Sequence, residues 1–491
     1  MRIQNTLTRK KEDFVPLRAG EVGIYVCGVT VYDLSHIGHA RSALVFDVIR
    51  RYLLFQGYRV RFVRNFTDVD DKIIRRANAD GVPAREVSER YITEYRVDMA
   101  SLGVLPGDVE PKATEHVPQM IALIERLIAG GFAYVVDGDV YFEVRSFPEY
   151  GKLSGRNLEE LLAGARVEVD ERKRDPRDFA LWKSAKPAEP SWPSPWGPGR
   201  PGWHIECSAM SMQYLGESFD LHGGGEDLVF PHHECEIAQS EAATKRPFVK
   251  VWVHNGFVNF GAEKMSKSLG NTLTIKDFVT RHDPEAIRLW MLGTHYRGPV
   301  DYAEDRVREA ARGLARFRAL IDEADRLAPL ASGPRYAVSP GAGQIEVALA
   351  AVPDPELART VATRAEAFTA AMDDDFNTPA ALAALFDLSH DLHRYRDAVS
   401  RGERPKDAFV SAVDVLLRLG QRGLGLFERP ASVERPAEDV QSEAERLVAE
   451  REAARARRDY KRADELRMQV QAMGAAIVDT ASGPQLKWGG A

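Results

Sequence analysis

Between residues 222 and 236 the chain reads HGGGEDLVFPHHECE, three histidines, four carboxylates and a cysteine in fifteen positions. The other cysteines are Cys27 and Cys207. Such a crowd suits a metal site or an acid–base cluster, and its bland alternative is a polar helix start. Two further stretches carry chemistry. In HIGHARSAL, His36 and His39 are spaced so that both imidazoles can face one pocket, and Gly38 lets a ligand approach the backbone. In EKMSKSLGN, Lys264 and Lys267 stand three apart among small residues, able to close over a triphosphate and neutralise charge developing on it. Taken singly each is weak: two histidines can simply cap a helix, and two lysines can simply be a solvated loop.

The elements that must position these residues follow from apolar periodicity. VGIYVC, ending at Cys27, reads as a buried strand, and ARSALVFDVIRRYLLFQGY as an amphipathic helix stopped at Gly57. VRFVRNFTD reads as the next strand. Strand, helix and strand with so short a crossover predict a parallel pair in a doubly wound sheet. His36 then lies at the C-terminal edge of that sheet, where the helix N-terminus offers free N–H groups and partial positive charge. Helices are expected at 70–79, 84–101 and 115–130, and Asp68, Asp70 and Asp71 read as a solvated helix start. KPAEPSWPSPWGPGRPG is too rich in Pro and Gly to be regular. ESFDLHGGG predicts a strand entering a glycine turn, and Pro231 is placed to open a helix. Beyond about residue 284 the pattern is almost wholly helical, with breaks near 328–343 and at FERPASVERPAEDV.

Composition sets limits. With 491 residues, 44% hydrophobic and 28% charged, the chain is globular and holds more than one domain. No apolar run reaches the roughly 20 residues that span a bilayer, and MRIQNTLTRKKEDF lacks the features of a secretory signal. Three scattered cysteines imply a reducing, cytoplasmic compartment. A net charge of −7 gives no overall attraction to nucleic acid, so an RNA partner would need local basic surface.

The order HIGH then KMSKS, about 225 residues apart, resembles the paired signatures of class I aminoacyl-tRNA synthetases. YVCGVTVYDLSHIGHAR, RNFTDVDDKII, PSWPSPWGPGRPGWHIECSAM, DLHGGGEDLVFPHHECEIAQ, EKMSKSLGN and MDDDFNTPAALAALFDL resemble the cysteinyl-tRNA synthetase family within that class. The resemblance runs from Asn5 to the last residues. It implies an α/β Rossmann-type catalytic domain with a parallel sheet in two halves, 1–115 and 201–283, around a connective insertion at 116–200. A helical stem-contact and bundle region at 284–430 and an anticodon-binding domain at 431–491 would follow. It also implies ATP-dependent activation of L-cysteine and its transfer to tRNA(Cys), with Mg2+ accompanying ATP, and a monomer without a membrane.

The resemblance assigns one Zn2+ per subunit to Cys27, Cys207, His232 and Glu236. Cys27 ends the first strand beside the HIGH loop, and His232 and Glu236, i and i+4 on a helix, share a face. Cys235, i+3 from His232, is a softer rival to Glu236. Zinc has a clear use in such a pocket. Shape alone rejects serine, a smaller isostere of cysteine, by only about 1–3 kcal/mol, whereas zinc binds a thiol as thiolate. The resemblance to class I enzymes also places Gly225 and Asp227 at the ATP ribose; Thr67, ending the second strand, and Trp203, beside HIEC, read as amino-acid pocket residues, with ordinary packing in the Pro/Trp loop as the alternative for Trp203. His204 and His222 would support the metal or the adenylate. Arg455, Tyr460, Asp464 and Asp479, in a C-terminal unit opening on a charged helix, would read the anticodon, with a solvated helix as the alternative. A cysteine-activating ligase that joins cysteine to an amino-sugar, as in mycothiol synthesis, would share the zinc and nucleotide motifs but has no use for that unit.

Overall fold

A computed structural model describes residues 1–156, 172–187, 189–260, 263–264, 273–328, 330, 349–428, 438–457, 459, 462–463, 466–467, 469–470, 475–480 and 483–488. The apolar run before Cys27 forms β1 (Glu21–Val26), which enters α1 (Ile37–Phe55) through the HIGH loop and returns in β2 (Arg59–Arg64). After an insertion come α2 (Trp203–Leu215), β3 (Phe219–Gly225), α3 (Glu234–Thr244) and β4 (Val249–Asn255). The four strands lie in the order β4-β3-β1-β2, every pair parallel. The register sets Val26 opposite both Arg64 and Gly223, and Asn255 opposite Gly225. Cys27, Gly225 and Asn255 therefore emerge at one edge, the C-terminal edge at which doubly wound sheets bind ligands.

Helix α1 is buried along nearly its whole length, on its polar positions as well as its apolar ones. Its Phe46 packs against β3 only because position 223 is glycine: a Cβ there would come within 2.3 Å of the Phe46 ring. Gly28 is equally constrained, since a Cβ would lie 1.5 Å from the Asn65 carbonyl oxygen. The chain can thus cross the head of β2 directly after Cys27.

The insertion contains an antiparallel sheet of Ala133–Val136, Asp139–Phe142, Phe179–Ser184 and Gly199–Pro201, in that order. The Pro/Trp-rich tract is tied down by paired backbone hydrogen bonds between Trp192 and Gly199, and by Trp196 set edge-on to the buried Trp182. Helices Glu304–Leu327, Pro355–Asp373, Thr378–Ser400 and Lys406–Leu419 follow. One hydrophobic core runs from the sheet (Val22, Ile24, Leu221) through α1 into these helices (Phe317, Leu385, Leu416). The larger compact unit runs from Met1 to Phe427 and a smaller one begins at Glu428. The smaller unit contains helix Glu438–Ala456 and a hairpin of Ala475–Thr480 with Gly483–Trp488. Among the described residues no helix is long and apolar enough to cross a membrane.

Candidate functional site

His36 caps α1. Its Nδ1 accepts the Gly38 N–H at 3.2 Å, and its own N–H donates to His39 Nδ1 at 3.2 Å. The two rings stack with centroids 3.8 Å apart. Because each Nδ1 accepts a backbone N–H, each neutral ring carries its proton on Nε2, and both histidines are donors at a helix N-terminus. The HIGH loop is also held to the chain that follows the KMSKS segment: Ile37 N–H donates to Leu273 O and Ile275 N–H to Ser35 O. Lys264 lies in a short strand whose backbone pairs with Asn259, and Lys267 lies outside the described residues.

A cleft of about 530 Å³ opens at this edge, lined by Cys27, His36, Gly38 and His39 on one side and by Trp203, Gly225 and Asp227 on another. Lys72, Arg64 and Tyr95 also line it. Sequence reasoning passed over these three, although the density of charge in RNFTDVDDKII was a signal for Arg64 and Lys72. Asp68 likewise is not solvated: it is buried and accepts from the Thr114 N–H and hydroxyl, while Asp71 pairs with Lys183 of the insertion. Only Asp70, the N-cap of the helix Asp71–Asp80, matches a simple helix start.

Beneath the cleft four side chains converge. Cys27 Sγ is 3.5 Å from Cys207 Sγ and 3.3 Å from Glu236 Oε1, and His232 Nε2 is 3.1 Å from Glu236 Oε1. All four donor atoms lie within 4.8 Å of one another. A tetrahedral zinc with ordinary bond lengths needs sulfurs about 3.8 Å apart and nitrogen and oxygen ligands about 3.3 Å apart. The observed separations come within a few tenths of an ångström of that, and two sulfurs, an imidazole and a carboxylate are a zinc-type donor set, so the residues fit the metal. A second group, Cys27, His222, His233 and Glu236, is similarly close but has one sulfur.

The local fold explains the convergence. Cys207 sits one turn into α2. As expected, the helix opens at Pro231: Phe230, extended as a residue before proline is, breaks the turn Val229–His233, and helical geometry runs from Pro231 into Glu234–Thr244. His232 and Glu236 share a face of it, while Cys235 turns away and its sulfur lies 3.2 Å from the Tyr150 hydroxyl. Burial pushes the Cys235 thiol well up. For Cys207 burial acts the same way, but the hydrogen bond from Cys27 and the His232 imidazole outweigh it, and its pKa falls to about 6. Burial opposes the Glu236 carboxylate too, yet His222 and His232 hold its pKa well below the usual range.

Around the cluster, His222 Nε2 donates to Glu236 Oε2 at 2.9 Å, and His204 Nδ1 lies 2.9 Å from His232 Nδ1. Trp203, 39% exposed, stacks on His232 with centroids 4.1 Å apart, so it packs against the cluster and walls the cleft at once. The Thr67 hydroxyl is turned inward, donating to Glu206 at 2.9 Å, and Thr67 lies outside the cleft lining. In the smaller unit Arg455 is exposed, 3.6 Å from Glu452, and Asp479 lies opposite Pro484 in the hairpin. Tyr460 and Asp464 lie outside the described residues.

Comparison with known proteins agrees with this architecture. Family models described as tRNA synthetases class I (C) catalytic domain, DALR domain and cysteinyl-tRNA ligase anticodon binding domain match residues 13–312, 367–428 and 437–485. The Mycobacterium tuberculosis methionyl-tRNA synthetase in complex with methionyl-adenylate shares the fold, with TM-score 0.61 at 16% identity over 82% of this chain and 92% of that one. Residues 13–312 form the catalytic domain of a class I aminoacyl-tRNA synthetase. The cysteine–tRNA ligase of Geobacter sulfurreducens is 54% identical over 99% of both chains, and that of Syntrophobacter fumaroxidans 50% identical over the whole of both. The chain belongs to the cysteine–tRNA ligase family, and the anticodon-domain match disfavours the amino-sugar ligase.

Proposed function

We propose that the chain activates L-cysteine with ATP in the cleft above Cys27 and transfers it to tRNA(Cys), and that zinc held by Cys27, Cys207, His232 and Glu236 selects the amino acid. The observation that carries this is the double position of Cys27, which belongs both to the four-residue cluster and to the cleft lining. Held there by Cys27, Cys207, His232 and Glu236, zinc would supply a soft Lewis acid that favours a thiolate over serine's harder and far less acidic hydroxyl.

The chain's own residues do the rest by positioning. His36 and His39, both Nε2–H donors at the N-terminus of α1, hold phosphate oxygens of ATP beside Gly38, whose lack of side chain admits the nucleotide. Gly225 and Asp227, at the end of β3, take the ribose hydroxyls. The cysteine carboxylate attacks the α-phosphorus, and pyrophosphate leaves towards Lys264 and Lys267, which meet the charge as it develops. The terminal ribose hydroxyl of tRNA then attacks the adenylate carbonyl and AMP departs. Neither step needs a protein nucleophile, so orientation and charge stabilisation supply the rate. Trp203 closes the amino-acid side, and Thr67 supports it through Glu206. Mg2+ belongs to this reading only as the companion of ATP.

Arg455, Tyr460, Asp464 and Asp479 are proposed to meet anticodon bases. The division at residues 115, 200, 283 and 430 into catalytic halves, insertion, helical region and anticodon domain belongs to the same proposal, as do a monomeric state and a cytoplasmic location. The test is pyrophosphate exchange by zinc-stripped protein. Cysteine-dependent exchange is expected to be lost on stripping and restored by zinc, and stripped protein that activates cysteine normally would overturn the proposal.

A further inference from the structure

Behind the cluster stands a line of three side chains that the proposed chemistry does not use. Thr6 Oγ1 lies 2.8 Å from His254 Nδ1, and His254 Nε2 lies 2.7 Å from His233 Nδ1. The line ends at His233 Nε2, which has no hydrogen-bond partner among the described residues and lies 4.0 Å from Glu236 Oε1. His233 is fully buried and His254 nearly so.

A neutral imidazole carries one ring proton, so the line has two states. In one, the Thr6 hydroxyl donates to His254 Nδ1, His254 Nε2–H donates to His233 Nδ1, and His233 turns an N–H towards Glu236. In the other, each donor becomes an acceptor and His233 presents a bare lone pair to the same carboxylate. Close to an anion in a buried setting the N–H is attractive and the lone pair repulsive. The first state also completes the surroundings of Glu236, whose Oε2 already accepts from His222.

We infer that Thr6 is a positioning residue for the metal centre: its hydroxyl, acting through His254 and His233, holds an N–H against the Glu236 carboxylate and so tunes the zinc affinity. The inference rests on the reading of Glu236 as a ligand. Partners of metal ligands change metal affinity by about 10–100-fold when removed. Thr6 acts through two rings, so the lower end applies.

Thr6→Val removes the hydroxyl at nearly constant volume and keeps the backbone hydrogen bond from Thr6 to Trp252, whereas Thr6→Ser retains the hydroxyl. Zinc affinity of the full-length proteins, measured by competition with a chromophoric chelator, is expected to fall about tenfold in Thr6→Val and by no more than about twofold in Thr6→Ser. In zinc-free wild-type protein, nitrogen-15 shifts of the histidine rings are expected to place the His233 proton on Nε2. Wild-type affinity in Thr6→Val would overturn the inference, as would Thr6→Ser as weak as Thr6→Val. A His233 proton on Nδ1 would also overturn it, because Nε2 would then be free to ligate in the alternative group of four. Wild-type protein that binds no zinc would remove the proposed function as well, so the two failures are distinguishable.

Discussion

Asp47 sits in the middle of α1, the helix that carries His36 and His39 at its start. Its carboxylate is 1% exposed and pairs with Arg51 at 2.8 Å and with Arg288, whose side chains are 3% and 1% exposed. It also accepts the Leu105 N–H at 2.9 Å. The arginines reach on to backbone oxygens: Arg51 to Gly103, and Arg288 to Leu424. One carboxylate thus binds the HIGH helix to the turn after residue 102, to helix Pro284–Leu292 and to the segment that ends the helical region. Asp47→Asn keeps the volume and removes the charge with which both buried guanidinium groups pair. Breaking a buried pair in this way costs about 3–5 kcal/mol.

Acid provides an independent check on the same group. Burial raises the Asp47 carboxyl, but Arg51 and Arg288 outweigh it and bring the pKa from 3.8 to about 2. A carboxyl whose folded pKa is depressed stabilises the fold above its unfolded pKa, and that contribution is lost as pH falls through the folded value. Here it amounts to about 2 kcal/mol, lost between about pH 4 and pH 2. Urea unfolding at pH 7, followed by a series down to pH 2, should show the variant destabilised by about 3–5 kcal/mol at neutrality and lacking this part of the acid dependence. A loss below about 1 kcal/mol, or an acid profile identical to wild type, would refute the reasoning.

Elemental analysis of protein purified without added metal should find about one zinc per chain; Cys207→Ser should lose most of it and Cys235→Ser should keep it, the reverse pattern overturning the ligand set. Lys267→Ala should lower the rate of adenylate formation more than it weakens cysteine binding, and unchanged pyrophosphate exchange would remove Lys267 from the mechanism. Removing the chain after Pro430 should leave cysteine-dependent pyrophosphate exchange largely intact while raising the KM for tRNA, because the residues assigned to adenylate chemistry precede Gly270. Loss of exchange on truncation would contradict that division.

The parallel sheet and its first helix were legible because the information is local: VGIYVC and VRFVRNFTD are apolar runs, and the stretch between them has helical period. The i, i+4 relation of His232 and Glu236 was legible for the same reason: Phe230 breaks the preceding turn, and both residues lie on the helical stretch that Pro231 opens. Cys27 and Cys207 are 180 residues apart, and nothing in their spacing predicts that they meet; the family resemblance supplied what periodicity could not. No such guide existed for Thr6, His254 and His233, nor for Asp47 and Arg288. Their pairings depend on where distant elements dock. A trace was present in each case, an acidic residue within the apolar stretch LVFDVI and an extra histidine at the end of a buried strand, but a trace of that kind names one partner and not the other.

The placement of the cluster bears on how selectivity would enter catalysis. Cys27 directly follows β1, beside the two histidines proposed to hold the phosphates and one strand away from Gly225 and Asp227. Selection and activation are therefore proposed at adjoining points of one sheet edge. An amino acid fixed at the floor of the cleft presents its carboxylate at a set height, and one that is not fixed there occupies the cleft without a defined carboxylate position. A misplacement of about 1 Å can lower a rate by about 100-fold. Serine would then be rejected twice by a single feature, through weaker binding and through poorer alignment of what does bind. Discrimination of this kind appears in kcat/KM for the adenylation step, before tRNA is engaged, and that is where a pocket relying on shape alone falls short. On the same proposal the residues around Glu236 would have a purpose: whatever holds that carboxylate in place would govern the position of the reacting group as much as the affinity for metal.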